Sequence, residues 1–192
     1  RATWLVWPHN RADWAVKMSA VEWCFVEMVR LLLGGESVSI LFQDRAVEQR
    51  ACTRLRAAGI NPNRLSRYHI ATNRSWIRDS GPIFLIRPAR TKNNRVAISD
   101  WQFNGWARYR AWQRDNLVPR RIALRLGMRR FAVTRVKNDT IQPVVLEGGS
   151  VDVNGRGLLL TTEECLLSTI QARNSHLDQS DIEQTLCDYL GA

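Results

Sequence analysis

Residues 37–59 read SVSILFQDRAVEQRACTRLRAAG, and this stretch decides the fold class. Residues 37–43 form a mostly apolar run of the kind that a strand covered on both faces requires. Beyond it, Val47, Ala51, Leu55 and Ala58 recur at three- and four-residue steps along one helical face, and Gly59 supplies a stop. A buried strand followed at once by an amphipathic helix is the repeating element of an α/β chain.

The alternation extends in both directions. TWLVW at 3–7 is β-branched and aromatic and stops at Pro8, so it reads as a strand feeding the loop PHNRADW. Between that loop and residue 37, Val21, Phe25, Met28, Val29 and Leu32 mark a helix that Gly34 and Gly35 end. RYHIAT at 67–72 is strand-like, and PIFLI (82–86) and RVAISDWQF (95–103) read as two strands joined by a polar connection around Lys92-Asn93-Asn94. Residues 143–162 hold two strands around Asn154-Gly155, a dipeptide that takes the positive φ of a tight hairpin. Asp178 caps a last helix, with Asp181 as its third residue, Leu177 stapled onto Ile182, and Leu186 and Leu190 continuing the face to Gly191. Some strands adjoin in sequence and others are separated by helices. That mixture suggests units of two strands, a helix and a strand in one domain, 1–192.

Basic side chains number 28 against 18 acidic, and only Lys17, Lys92 and Lys137 are lysine. Residues 105–136 concentrate Arg108, Arg110, Arg114, Arg120, Arg121, Arg125, Arg129, Arg130 and Arg135 among Trp106, Tyr109 and Trp112. Basic and aromatic side chains together suit a nucleic acid or another polyanion. The competing and favoured reading is a helix whose Ile122 and Leu126 face the core while its arginines face water, with no nucleic-acid partner. Cys24, Cys52, Cys165 and Cys187 form no CxxC pair and no metal-ligand spacing with His9, His69 or His176, so no metal site and buried, reduced thiols are expected. No apolar run approaches the roughly 18 residues of a spanning helix, and nothing before the first strand reads as a leader. A soluble, cytoplasmic protein is the expectation.

Residues 71–82, ATNRSWIRDSGP, place a tryptophan, two arginines and a carboxylate in one short loop ending at Gly-Pro. A planar guanidinium is best held by a carboxylate accepting two parallel N–H bonds, with an aromatic face covering it. Trp76 and Asp79 could supply both. Spacing alone favours a local role instead, in which Asp79 pairs with Arg74 or Arg78, or caps the turn at Ser80-Gly81, with Trp76 in the core.

TWLVWPHNRADW, TNRSWIRDSGPIFL, DWQFNGWARYRAW, VVLEGGSVDVNGRGLLLTTEECLL and DIEQTLCDYLG occur in the order in which similar segments occur in the agmatine deiminases, relatives of the bacterial peptidylarginine deiminases. The resemblance spans essentially the whole chain. It implies an α/β propeller of the pentein type, built from five ββαβ units, and a hydrolase converting agmatine to N-carbamoylputrescine and ammonia on the way to putrescine. A cysteine attacks the guanidinium carbon, a histidine is general acid and base, and carboxylates grip the guanidinium, with no cofactor. By this resemblance Asp79 matches the first guanidinium-binding acid and Trp76 the aromatic beside it, while Glu147, in Leu-Glu-Gly-Gly, matches a segment near the site. The family's catalytic histidine and cysteine match nothing here and are expected beyond Ala192. The chain is then the N-terminal part of a propeller, roughly two to three units, inactive alone, from a protein expected to be a homodimer. Arg74 departs from the pattern, standing where the family usually has an acid, which puts a cation near a site that must attract one.

Overall fold

The computed structural model describes residues 1–86, 96–105, 109–170 and 173–191. They form two compact units, Arg1–Ile77 and Arg78–Ala192. The connection around Lys92, and Trp106 and Arg108 of the arginine-rich segment, lie outside the described residues.

In the first unit β1 (Ala2–Val6), β2 (Ser37–Phe42) and β3 (Leu65–His69) form a parallel sheet in the order β1-β2-β3. Parallel neighbours need a crossover between them. After the single turn α1 (Arg11–Trp14), α2 (Met18–Leu32) crosses from β1 to β2, and α3 (Arg45–Ala57) from β2 to β3. The sequence expects two-strand, helix, strand units, whereas this unit is β-α-β-α-β, because the strands at 3–7, 37–43 and 67–72 are each separated by a full helix. Central β2 is buried at every position after Ser37, and its register runs from Val38 opposite Leu65 to Phe42 opposite His69. Leu5, Trp7, Val26, Val29, Val38, Ile40, Phe42, Ala51 and Leu55 make one core. The Asp44 side chain accepts from Val47 N at 2.8 Å and starts α3, and Gly59, at φ 75°, follows its end.

The second unit does contain a two-strand, helix, strand succession. β4 (Ile83–Ile86) is antiparallel to β5 (Val96–Asp100), α5 (Val118–Leu126) crosses over, and β6 (Arg129–Ala132) lies parallel to β5. A turn of helix, α4 (Ile77–Ser80), precedes β4. α5 buries Val118, Pro119, Ile122 and Ala123, leaves Leu126 half-buried, and turns Arg120 and Arg125 to solvent. β7 (Thr134–Lys137) and β8 (Thr140–Pro143) form a hairpin that the sequence reading misses. Its two-residue turn is Asn138-Asp139, with φ 51° and 58°, the left-handed pair that such a turn demands. β9 (Asp152–Val153) and β10 (Leu159–Leu160) do flank Asn154-Gly155, but the loop is longer than a two-residue turn. The Asn154 side chain accepts from Arg156 N at 2.8 Å and Leu158 N at 3.1 Å, and this ring of bonds holds five residues in the loop.

After the turn α6 (Glu163–Leu166), α7 (Gln179–Leu190) closes the unit with a complete capping box between Asp178 and Asp181 and Gly191 in the left-handed conformation. Leu177, Ile182 and Leu186 join Trp101, Val133, Val144, Leu146, Val151 and Leu166 in the second core. Of the four cysteines expected to be buried, only Cys52 is: Cys24, Cys165 and Cys187 sit on outward positions of their helices.

Candidate functional site

Asp79 lies in α4, one residue into the second unit's polypeptide, and its neighbours come from the loop 147–151. Arg78 Nη2 donates to the Val151 carbonyl at 3.0 Å, which pins α4 to that loop. Glu147 begins a 3₁₀ turn, Gly148–Ser150, in which Ser150 N and Oγ both donate to the Glu147 carbonyl, at 2.9 and 2.7 Å. The turn passes so close to α4 that a Cβ on Gly148 would strike the Arg78 carbonyl oxygen, and one on Gly149 would strike Asp79 Oδ1. A glycine at 148 is therefore a steric requirement of this approach, and a glycine at 149 leaves the Asp79 carboxylate its place.

The approach sets two carboxylates near each other. Glu147 is buried, its side chain 8% exposed, and receives the Arg173 guanidinium at 3.0 Å. Asp79 is half-buried and, among the described residues, takes part in no hydrogen bond or ion pair. Burial raises its carboxyl above the ordinary value, and the neighbouring charge of Glu147 raises it further against the opposing pull of Arg78. The local pairings that spacing allowed for Asp79 are not made. Arg78 is engaged by a backbone carbonyl, and Arg74 is engaged elsewhere. Chemically, a half-buried carboxylate with no partner among the described residues, beside a second carboxylate, can accept N–H bonds from a cation.

Arg74 pairs with Asp13, whose side chain is 3% exposed, and its guanidinium lies 5.1 Å from the centroid of the Trp76 ring. The cation that sequence alone set against the site is thus neutralised where it stands. Asp13 is 61 residues away in α1, the single turn after β1, and nothing in the local pattern links it to Arg74. Burial raises the Asp13 carboxyl, with Arg74 and then His9 pulling the other way. Trp76 is half-buried in the first unit, and Asp79 and Glu147 belong to the second. Arg173 escaped the sequence reading as part of this site, whereas Gly148 and Gly149 were matched, with Glu147, to a segment near it.

None of the described cysteines and histidines forms a nucleophile–base pair. His69 Nε2 is 2.6 Å from Glu48, and the two ring nitrogens of His9 face the carbonyls of Trp7 and Thr72 at 3.1 and 3.2 Å. Among the described residues no group of three or more His, Cys, Asp or Glu could hold a metal, and no helix is long and apolar enough to cross a membrane.

The chain is α/β and sets Asp79 and Glu147 near each other beside a glycine-lined turn. Its family follows from comparison: the profile of the Porphyromonas-type peptidyl-arginine deiminases matches residues 1–192, and the chain belongs to that family. It is 34% identical to an agmatine deiminase of Pseudomonas aeruginosa over 98% of this chain and 47% of the relative. With an agmatine deiminase of Medicago truncatula it shares 32% identity, over 98% of this chain and 48% of the relative. The solved agmatine deiminase of Enterococcus faecalis superposes with a TM-score of 0.80 at 30% identity, covering all of this chain and 48% of that one. The chain spans about half the length of the curated relatives it matches.

Proposed function

We propose that this chain is the guanidinium-gripping part of an agmatine deiminase-type hydrolase, in which Asp79, with Glu147 beside it, holds the substrate's guanidinium group. The observation that carries this reading is the Asp79 carboxylate, half-buried, without a hydrogen-bond partner among the described residues and next to a second acid. A bound guanidinium would donate two parallel N–H bonds to Asp79 and would relieve the like-charge repulsion.

The reaction consumes one water per guanidinium and yields a ureido group and ammonium. A thiolate adds to the guanidinium carbon, ammonia leaves with a proton from a general acid, and water then displaces the thiol. Asp79 and Glu147 would orient the carbon and hold the positive charge. The nucleophile and general acid would come from residues outside 1–192, within a propeller of ββαβ units and a homodimer. The absence of a Cys–His pair among the described residues supports this division, and it leaves the chain alone without turnover.

Saturation-transfer NMR with agmatine tests the grip, and colorimetric ureido assay tests turnover. Agmatine signals should saturate with the parent chain and not with Asp79→Asn, and no ureido product should form. Equal saturation by Asp79→Asn would overturn the role of Asp79, and turnover by the chain alone would overturn the placement of the nucleophile. A second reading, a polyanion-binding module, is favoured by one feature: Phe131 is exposed on β6 with the Arg129 guanidinium 4.6 Å above its ring. Salt-sensitive retention of single-stranded RNA, lost in Arg120→Gln/Arg129→Gln/Arg130→Gln, would favour it over the first.

A further inference from the structure

Arg74 is held in a way that an arginine placed only for charge would not need. It reaches back to α1, where the Asp13 side chain is almost completely buried, and Asp13 receives it through Oδ1 while Oδ2 lies buried with no hydrogen-bond partner among the described residues. On another side its guanidinium carbon lies 5.1 Å from the Trp76 centroid. The two loops that carry these residues are fastened independently of Arg74. Asn10 Nδ2 donates to the Asn73 carbonyl at 3.2 Å, the His9 ring meets the Thr72 carbonyl at 3.2 Å, and Thr72 N donates to Gln43 Oε1 at 3.0 Å. The carboxylate and the ring therefore face a common volume whose walls do not depend on the side chain that fills it.

A buried carboxylate with an aromatic face is a recognition set for a planar guanidinium, which forms parallel N–H bonds in its plane and stacks through its face. An ammonium, compact and strongly hydrated, gains much less there. We propose that Asp13 and the Trp76 ring form a guanidinium-binding cradle in the first unit, which the chain keeps filled with its own Arg74. The occupant is tethered, so a free guanidinium compound must compete with a local concentration of at least the millimolar order. Arg74 thereby withholds one face of Trp76 from ligands and keeps that ring in one orientation.

The cradle exists whether or not the chain takes part in deimination, and the experiment uses neither turnover nor Asp79. In Arg74→Ala the site is emptied, and methylguanidinium is the probe, with methylammonium at equal ionic strength as control. Two signals are read: the thermal midpoint, and the ¹⁹F resonance of 5-fluorotryptophan at position 76, assigned among the eight tryptophans by Trp76→Phe. Methylguanidinium at millimolar concentration should raise the midpoint of Arg74→Ala saturably and return the Trp76 resonance toward its parent position. All proteins compared carry Asp79→Asn, so that the carboxylate proposed to grip substrate adds no binding; in that background, the protein with Arg74 intact and Asp13→Asn/Arg74→Ala should give neither response. If Arg74→Ala does not fold without the probe, Arg74→Lys keeps the charge and is read by the same resonance, displaced from the parent and returning with methylguanidinium. An equal effect of methylammonium, a response that persists in the double variant, or no response in either single variant overturns the proposal.

Discussion

Gly148 and Gly149 adjoin in one turn, yet a methyl group added to each should damage different properties. On Gly148 the new Cβ meets the carbonyl oxygen of Arg78, a backbone atom in a segment already tied to Val151, so the collision is relieved only by moving chain. Overpacking of that kind costs about 1–3 kcal/mol, roughly a 5- to 150-fold loss in the ratio of folded to unfolded protein. With a urea dependence of about 1–3 kcal/mol per molar, the midpoint of Gly148→Ala should fall by about 1 M. On Gly149 the new Cβ meets Asp79 Oδ1, the end of a short side chain that can rotate away. That rotation costs about 0.5–1.5 kcal/mol at most, but it takes the carboxylate out of position. Loss of a charge-assisted hydrogen bond, about 1.5–3 kcal/mol, weakens agmatine binding roughly 10- to 150-fold. Urea unfolding followed by circular dichroism and agmatine titration followed by NMR separate the two effects. Gly149→Ala binding agmatine like the parent would refute the placement of Asp79, and Gly148→Ala unfolding at the parent's midpoint would refute the close approach.

Three further outcomes are expected. Asp79→Asn should abolish agmatine binding yet raise stability at neutral pH, because Asp79 is an Asp whose folded pKa is raised: its ionisation destabilises the folded state, most strongly above that raised pKa, and stability recovers as pH falls back toward 3.8. For the same reason agmatine binding in the parent should weaken as pH falls through that window, which titration at several pH values will show. Asp178 behaves in the opposite sense, its carboxyl held down to about 2 by the Asp181 backbone, Ser180 and Lys137. Its contribution is present above 3.8 and is lost as pH falls toward 2, so Asp178→Ala should lower the thermal midpoint near neutrality and flatten the acid limb. Trp7→Ala removes a fully buried ring from the first core and should cost about 3–5 kcal/mol, read as loss of the cooperative urea transition in that unit.

Much of the fold is legible in the chain because its signals are local. The β2–α3 passage shows its strand as an apolar run and its helix as a face ending at Gly59, and both bounds fall within a residue or two of the structure. The α7 cap is equally plain, since Leu177, Asp178, Asp181 and Ile182 satisfy one another within a single turn. The β7–β8 hairpin goes unread because Asn138-Asp139 is a weaker turn signal than a pair ending in glycine, and because arginines in β6 and β7 obscure their alternation. The loop after β9 is misjudged in length, since the Asn154 side chain competes with the backbone for hydrogen bonds.

The candidate site divides along the same line. Residue order by itself determined the α/β class, the helices with their caps and stops, the resemblance over the whole chain, and the candidacy of Trp76, Asp79 and Glu147. Tertiary structure decided which of these groups meet. It set Glu147 beside Asp79 across 68 residues, required a glycine at 148 where the turn meets the Arg78 backbone, and gave Arg74 to the buried carboxylate of Asp13 in α1. A helix stop or a cap is settled within about one turn of chain, whereas the charge state and partner of a carboxylate depend on everything that comes within a few ångströms of it in space.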